Sequence, residues 1–586
     1  MKQLLHIKSG VKSRNKFDLS REHYTTIDFG QVLPIFHEDI IAGDQYNINP
    51  HFFSRLSPLV LPSYGKVSFR TIPMFVPYHQ VYENYEAWLV GKKVDKGRSV
   101  GLPVIKMRDL MEYFAKNNCY EDVTADVAYD IVRYGTSNTP IYSRFNNKGR
   151  YIYKVLRMLG YQLLPNYNFN SPTEFDYYLN AMPLLCFAKA FNDYMTLNSQ
   201  YSVSNLTKTL ESIRISSNVD VVNGNRYIYV STQLITDLFA VLHPLFENDY
   251  FTSAWQSPNS PLSDIGDIQD NRVYPNPFDT TGEHPFTATA QQTDTSSWNS
   301  QRMGETALNL LRSFDDWIRR NNYSGTKTVQ RILSRFGIKI EDYSIYFAHV
   351  LSGVQNTPLQ IGDVTSTSQT DGADLGDYAG KGIVSGGVKP LHFKSDDFGM
   401  LLYLGWLNVK PMYGHGFDRN VLKLQPFDMY QPEFDCVGPN PISQGELAVS
   451  LTNMADQKKD VINNVFGYTE RYNEYRKGTS QVTGDFALIK SKKTLTPWLF
   501  DRLELVDETT YESRDFSPQT TLFNLNDGQE FNRIFVQEDS EKLNVDHFFM
   551  SMNFDVMAVR PILSLSQSTN LGEGRLEFEK NGNDVV

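Results

Sequence analysis

The chain has 586 residues, a net charge of −11 from 56 Lys+Arg against 67 Asp+Glu, and 13% aromatic residues. That much aromatic surface excludes disorder over most of the chain, and the acidic balance excludes a DNA coat that works by charge alone. The mass corresponds to about four average domains.

Residues 1–21 carry Lys2, Lys8, Lys12, Arg14, Lys16 and Arg21 against the single acid Asp18, which reads as an extended basic arm or an ordinary solvated terminus. Met1–Lys8 has no continuous apolar run and no small-residue cleavage site, so no signal peptide is expected. From Gly30 the chain turns to short apolar runs broken by Pro and Gly, such as Gln31–Ile35. A strand follows at Lys66–Pro77, with Pro73 and Pro77 expected to confine it to a sheet edge or a strand end.

Helical spacing then takes over. Met107, Leu110, Met111 and Phe114 recur at i, i+3, i+4 and i+7, as do Val329, Ile332, Leu333 and Phe336, and a longer stripe runs from Met303 to Ile318. These stripes suit packing faces. Between them, 256–300 is polar and without apolar period, which marks it as a candidate surface loop. Gly353–Gly387 is expected to be a second irregular stretch, dense in Gly, Ser, Thr and Asp. Strand character returns at Phe398–Val409. It is clearest at Phe548–Val559, where Phe548, Met550, Met552, Phe554, Val556 and Ala558 alternate with polar positions such as Ser551, Asn553 and Asp555. Such alternation gives one buried and one polar face, as in an antiparallel sandwich. Strands near both ends (about 30–78 and 398–561) around a helical and loop region (79–397) predict one β-sandwich with very long insertions.

The longest apolar stretch, Phe398–Leu407, falls far short of the roughly 20 residues that span a bilayer. Cys119, Cys186 and Cys436 are odd in number and widely spaced, which predicts a reducing compartment without disulfides. Catalytic signatures do not emerge. Asp377–Gly382 lacks the spacing of a phosphate loop and reads as a flexible Gly-rich loop. No histidine lies within four residues of another, so no helical metal pair is expected. Asp315–Asp316 and Asp396–Asp397 are adjacent acids that point in different directions. No cofactor is expected. A carbohydrate-binding or glycan-degrading β-sandwich is the alternative that the aromatic and Asn/Asp content allows.

Ordered segments narrow the choice. They begin with Lys16–Ser20, Gly30–Pro34, Ala42–Asp44, Ser54–Leu59 and Met74–Pro77. Asn180–Pro183, Asn192–Tyr194, Asp249–Ser253, Arg335–Gly337 and Thr365–Thr370 continue them. The strongest is Val465–Arg476 with Val482–Gly484, and Arg560–Pro561 closes the series. Taken together they resemble the major capsid proteins of the Microviridae, small single-stranded-DNA phages, and especially the gokushovirus-like branch.

The resemblance implies a mainly β, viral eight-stranded antiparallel jelly roll with long, partly helical insertions, formed as a single domain over 22–586 behind the arm. It implies a structural protein and not an enzyme, found in the virion and assembled in the cytoplasm of a bacterial host. About sixty copies would form an icosahedral shell around circular single-stranded DNA. A small basic DNA-binding protein, an internal scaffolding protein, a DNA pilot protein and a host cell-surface receptor would be its partners. Lys8, Lys12, Arg14 and Lys16 are then candidate DNA contacts. Tyr468, Glu470, Arg471, Tyr472, Glu474, Tyr475 and Arg476 are candidate structural or intersubunit residues, with the two glutamates and two arginines expected to pair. The loop 256–300 is expected to project outward.

Overall fold

A computed structural model describes, with short breaks, residues 14–254, 332–338, 347–365, 378–447, 465–502, 528–535 and 546–562. Lys8, Lys12, Cys436, the loop 256–300 and the stripe 303–318 lie outside the described residues.

The main strands are, in chain order, β1 (Asn15–Asp18), β2 (Arg21–Ile27), β3 (Val32–Ile40), β4 (Gln45–Leu56) and β5 (Val67–Pro77). Next come β6 (His349–Val350), β7 (Gln355–Pro358), β8 (Gln360–Thr365), β9 (Tyr378–Gly387), β10 (Leu391–Lys394) and β11 (Gly399–Val409). A hairpin of β12 (Pro439–Ser443) and β13 (Val465–Glu470) precedes β14 (Phe548–Arg560).

One sheet runs β2–β14–β4–β9, with β1 also on β14, β10 also on β4 and β8 outermost. The other runs β3–β11–β5, and β6 and β7 share the far side of β5. Every ladder in both sheets is antiparallel. Count β1 with β2, β6 with β7 and β9 with β10 as single positions. Among the strands of these two sheets the chain then switches sheets at each step except from β5 to β6 and from β8 to β9, and the closing strand β14 inserts between the first and third positions. That connectivity is a jelly roll.

Residue pattern explains the layers. On β14 the alternate residues from Phe548 to Ala558 are buried while Phe549, Asn553, Asp555 and Met557 are exposed, as period 2 demands. β4 does the same. β11 is buried along its whole length because the helix Met182–Tyr194 covers the sheet's second face. Between the sheets Phe554 meets Phe36 at 4.8 Å and Tyr403 at 5.9 Å, and Phe52 meets Phe69 at 5.2 Å between ring centroids. The insertion after β5 carries α1 (Met107–Lys116), α2 (Asn147–Met158), α3 (Met182–Tyr194), α4 (Asn205–Arg214) and α5 (Gln233–Phe239). The stripe Met107, Leu110, Met111 and Phe114 is the buried face of α1. Cys119 and Cys186 are free and buried.

Three expectations change. Pro73 is not at a sheet edge, since β5 has β11 on one side and β6 and β7 on the other. It sits opposite the gap between Val350 and Gln355, and the Leu351 N–H donates to its carbonyl at 3.0 Å. An antiparallel residue turns its N and O to the same neighbour, so the nitrogen without a hydrogen faces that gap. Within Gly353–Gly387, expected to be irregular, β7, β8 and β9 are regular strands, and Tyr378–Gly382 is strand and not a loop. Small residues serve close approach here: a Cβ on Gly386 would lie 2.6 Å from Thr357 Cγ2. Finally, the arm's last residues, from Asn15, pair with β14.

The outer edge of β3 is closed by side chains. The Val32 N–H donates to Tyr151 Oη at 2.9 Å, His23 Nδ1 lies 3.1 Å from the Ile35 oxygen, and Arg21 and Arg560 donate to the His37 and Asp39 carbonyls. An edge without such closure recruits foreign strands. Burial first, and then the neighbouring Arg21 charge, bring His37 down to about 4. The unfolded chain therefore takes up a proton that the folded edge refuses, and stability is lost as pH falls from about 6.5 to about 4. Urea titrations across that range should show the decline in the wild type and a shallower one in His37→Asn.

Candidate functional site

The long connection from β11 to β14 builds its own surface on a chain of short turns. Pro426 and Pro432 open two 3₁₀ turns, where a preset φ suits the first position. Asp418 accepts the Asn420 N–H at 2.8 Å to start the turn Arg419–Leu422, and the side chains of Ser443 and Glu446 cap the turn after β12 reciprocally.

This unit is anchored from beneath. Tyr250, Phe251, Ala254, Ile442, Leu447 and Phe466 form a second buried apolar cluster. Buried Glu446 accepts from Arg419 at 2.8 Å and from the Tyr250 hydroxyl at 3.2 Å. The Tyr413 hydroxyl donates to Asp249 at 2.8 Å and Lys477 donates to Ser253 Oγ at 2.7 Å. The matched segments Asp249–Ser253 and Val465–Arg476 are thus brought together by packing.

The seven candidate residues fall on β13 and the turn that follows. Tyr468 pairs with Pro441 across the hairpin. Tyr472 is buried and holds φ +63°, a left-handed conformation unusual outside glycine, and its hydroxyl accepts the Gln431 N–H at 3.2 Å. Its ring meets Tyr430 at 5.2 Å and Tyr475 at 6.3 Å. The expected charge network is rearranged. Arg476 meets Glu470 at 3.5 Å and also Asp435, Glu474 meets Lys423 at 3.1 Å, and the Arg471 guanidinium lies 5.9 Å from the Phe434 ring. The Lys423 ammonium also sits 4.2 Å over the Tyr475 ring.

Above this network lies a surface that sequence patterning missed. Val421, Leu424, Met429, Tyr430 and Phe434 are exposed beside Tyr475, with Leu424 at 86% and Val421 at 63%. Tyr430 meets the Tyr475 ring at 5.9 Å, and exposed apolar side chains gathered over so short a segment suit contact with a partner. An aromatic and aliphatic centre rimmed by Arg471, Arg476, Asp435 and Glu470 is the anatomy of a protein interface. The only sequence hint is apolar residues spaced between prolines over 417–434. Among the described residues no His, Cys, Asp and Glu group could hold a metal. No helix among them is long and apolar enough to cross a membrane. Asp397 takes the His79 ring at 3.0 Å, while Asp396 stays exposed. Of the arm candidates, Arg14 is exposed near Gly43, and Lys16 lies opposite Val559 on the first sheet.

A jelly roll that presents an ordered apolar surface, with no metal cluster among its described residues, suits a structural protein that packs against partners. Residues 5–108 and 248–569 match the family described as capsid protein (F protein), and the chain belongs to it. The chain is 22% identical over 565 residues to capsid protein VP1 of Chlamydia phage 1, covering 85% of this chain and 89% of that protein. It is also 22% identical over 487 residues to capsid protein VP1 of Bdellovibrio phage phiMH2K, covering 81% and 82%. The protein is a major capsid protein of the Microviridae type, a virion component with a structural role. The residues between the two matched blocks carry α2 to α5.

Two of the ion pairs around the hairpin turn differ in burial. The side chains of Lys423 and Glu474 are 3% and 10% exposed, against 37% and 35% for Arg476 and Asp435. Removing one partner of a buried pair strands the other charge, at about 3–5 kcal/mol, while an exposed pair contributes about 1 kcal/mol or less. Thermal and urea unfolding of Glu474→Gln should therefore show a much larger loss than Arg476→Ala.

Proposed function

We propose that this chain forms the simplest icosahedral shell from about sixty copies, around a circular single-stranded DNA genome, and that the surface of residues 417–434 with Tyr475 is buried between copies. The observation that carries this is the exposed apolar patch itself, which is firmly anchored and has charged groups at its rim. Obligate contacts commonly bury more than about 2,000 Å². Tyr468, Tyr472 and Glu474 act as the support of that contact, and Tyr475, Arg471, Arg476 and Glu470 as its face.

Charge dictates the rest. The six Lys/Arg of residues 1–21 neutralise about six phosphates, far fewer than a packaged strand presents. Lys8, Lys12, Arg14 and Lys16 therefore touch DNA inside the shell, and a small basic DNA-binding protein or polyamines supply most of the countercharge. An internal scaffolding protein and a DNA pilot protein take part in assembly, in the cytoplasm of a bacterial host. The loop 256–300 projects outward toward the host receptor.

Expressed full-length protein should give uniform icosahedral particles by negative-stain imaging. Leu424→Asp and Tyr475→Asp should keep the circular dichroism of the subunit yet abolish particles; normal particles from both would overturn the assignment of this surface. Deleting residues 2–13, which stops short of β1, should lower DNA per particle more than particle yield. An equal loss of both would mark the arm as an assembly element.

A further inference from the structure

The insertion and the closing strand meet over a buried pair of charges. Lys154 lies on α2 and Asp546 just before β14, 392 residues apart in sequence. Their side chains are 13% and 4% exposed, and the Lys154 ammonium donates to Asp546 Oδ2. Thr26 Oγ1 on β2 donates to the same oxygen at 2.5 Å, and Lys154 also donates to Gln31 Oε1 at 2.8 Å. Arg150, one turn before Lys154, lies 3.5 Å from Asp546 Oδ1. The next two residues join an aromatic cluster: His547 stacks on Phe535 at 4.3 Å and Phe548 meets Phe29 at 5.1 Å between ring centroids.

A buried ion pair needs a full set of hydrogen bonds, because each charge gives up its water. This one lacks it. Asp546 Oδ1 and Arg150 Nε are both buried without a hydrogen-bond partner. Burial also works against both charges of the pair. It brings the Lys154 ammonium below its usual range. At Asp546 burial pushes the carboxyl up, and the Lys154 and Arg150 charges outweigh it. The pair thus rests ionised, one proton transfer away from a neutral amine and a neutral acid held in contact where little water reaches.

We propose that Lys154 and Asp546 condense into an isopeptide bond within the folded subunit. The ammonium gives a proton to Oδ2 along their hydrogen bond, and the freed amine attacks the carboxyl carbon. Negative charge gathers on Oδ1, which faces the Arg150 guanidinium. The carbon–oxygen bond to Oδ2 then breaks. That oxygen leaves as water with the transferred proton and a second proton from the nitrogen, while Oδ1 stays as the amide carbonyl. Fixed contact between amine and acid replaces an encounter in solution. The product removes both buried charges and one of the two buried oxygens, and Gln31 Oε1 remains in place to accept the amide N–H. The bond would clasp the insertion to the last strand in a chain whose described cysteines are free and buried.

Intact mass spectrometry of the denatured full-length protein should find it lighter by one water than its sequence requires, and a protease digest should yield a branched peptide joining Lys154 to Asp546. Lys154→Arg keeps the charge but cannot form this amide, so it should show its full mass and run differently from the wild type on a denaturing gel, where the wild type retains a closed loop. Should that variant not fold, the mass and digest of the wild type decide alone. Folded wild type that keeps its full mass and gives no branched peptide, both when fresh and after prolonged incubation, overturns the proposal. So does a lost water that the digest maps to other residues.

Discussion

The meeting of Phe36, Phe52, Tyr403 and Phe554 between the two sheets is the constraint from which the rest of the molecule follows. Each ring comes from a different strand, and each is aimed inward only if its strand keeps its register. A slip of one residue on β14 would bring Phe549, Ser551 and Asp555 into the core and expel Phe548 and Phe554. Register in the core therefore also decides what the outer face displays: Tyr24, Phe53 and Phe549 are neighbours outside because Ile27, Phe52 and Phe548 are buried inside. Packing and surface chemistry are two sides of one alternation.

The apolar surface over residues 417–434 obeys different rules. Among the described residues no long strand or helix underlies it. It is held by proline-set turns, a buried tyrosine in a left-handed conformation, the Lys423–Glu474 pair, and a small core shared with Tyr250 and Phe251. Such a lattice of short-range restraints orders exposed apolar side chains before any partner arrives, which lowers the entropy lost on contact. The insertion helices do comparable work for the second sheet, where α3 covers a face that would otherwise be wet.

How far the sequence foretold this depends on the strength of local periodicity. β14, β11 and α1 were plain, because alternation, an unbroken apolar run and an i, i+3, i+4, i+7 stripe each have one structural meaning. β8 and β9 were hidden, because Gly, Ser and Thr in Gln360–Thr365 and Tyr378–Gly387 serve close strand approach and leave no hydrophobic period. Pro73 misled because the gap that excuses its missing N–H belongs to a segment nearly three hundred residues further on. At the candidate site the ordered motif pointed to Val465–Arg476. Its partners Lys423, Phe434 and Asp435 lie in a stretch without pattern, so the true pairing of the charges needed three dimensions.

β14 also sets a schedule. It is an inner strand of its sheet, bonded to β2 and β1 on one side and to β4 on the other, yet it is made after all of them. While the ribosome is still translating the long insertions, β2 and β4 have no common neighbour, and the aromatic core lacks Phe548 and Phe554. Completion of the sheet must wait for residues 548–560, so the subunit gains its closed form only after every other strand of the sheet has been made. A chain truncated before that point would hold unpaired strand edges and no finished core, and would be a poor building block. Late closure thus leaves any chain that stops short of β14 without a finished core or a complete outer face.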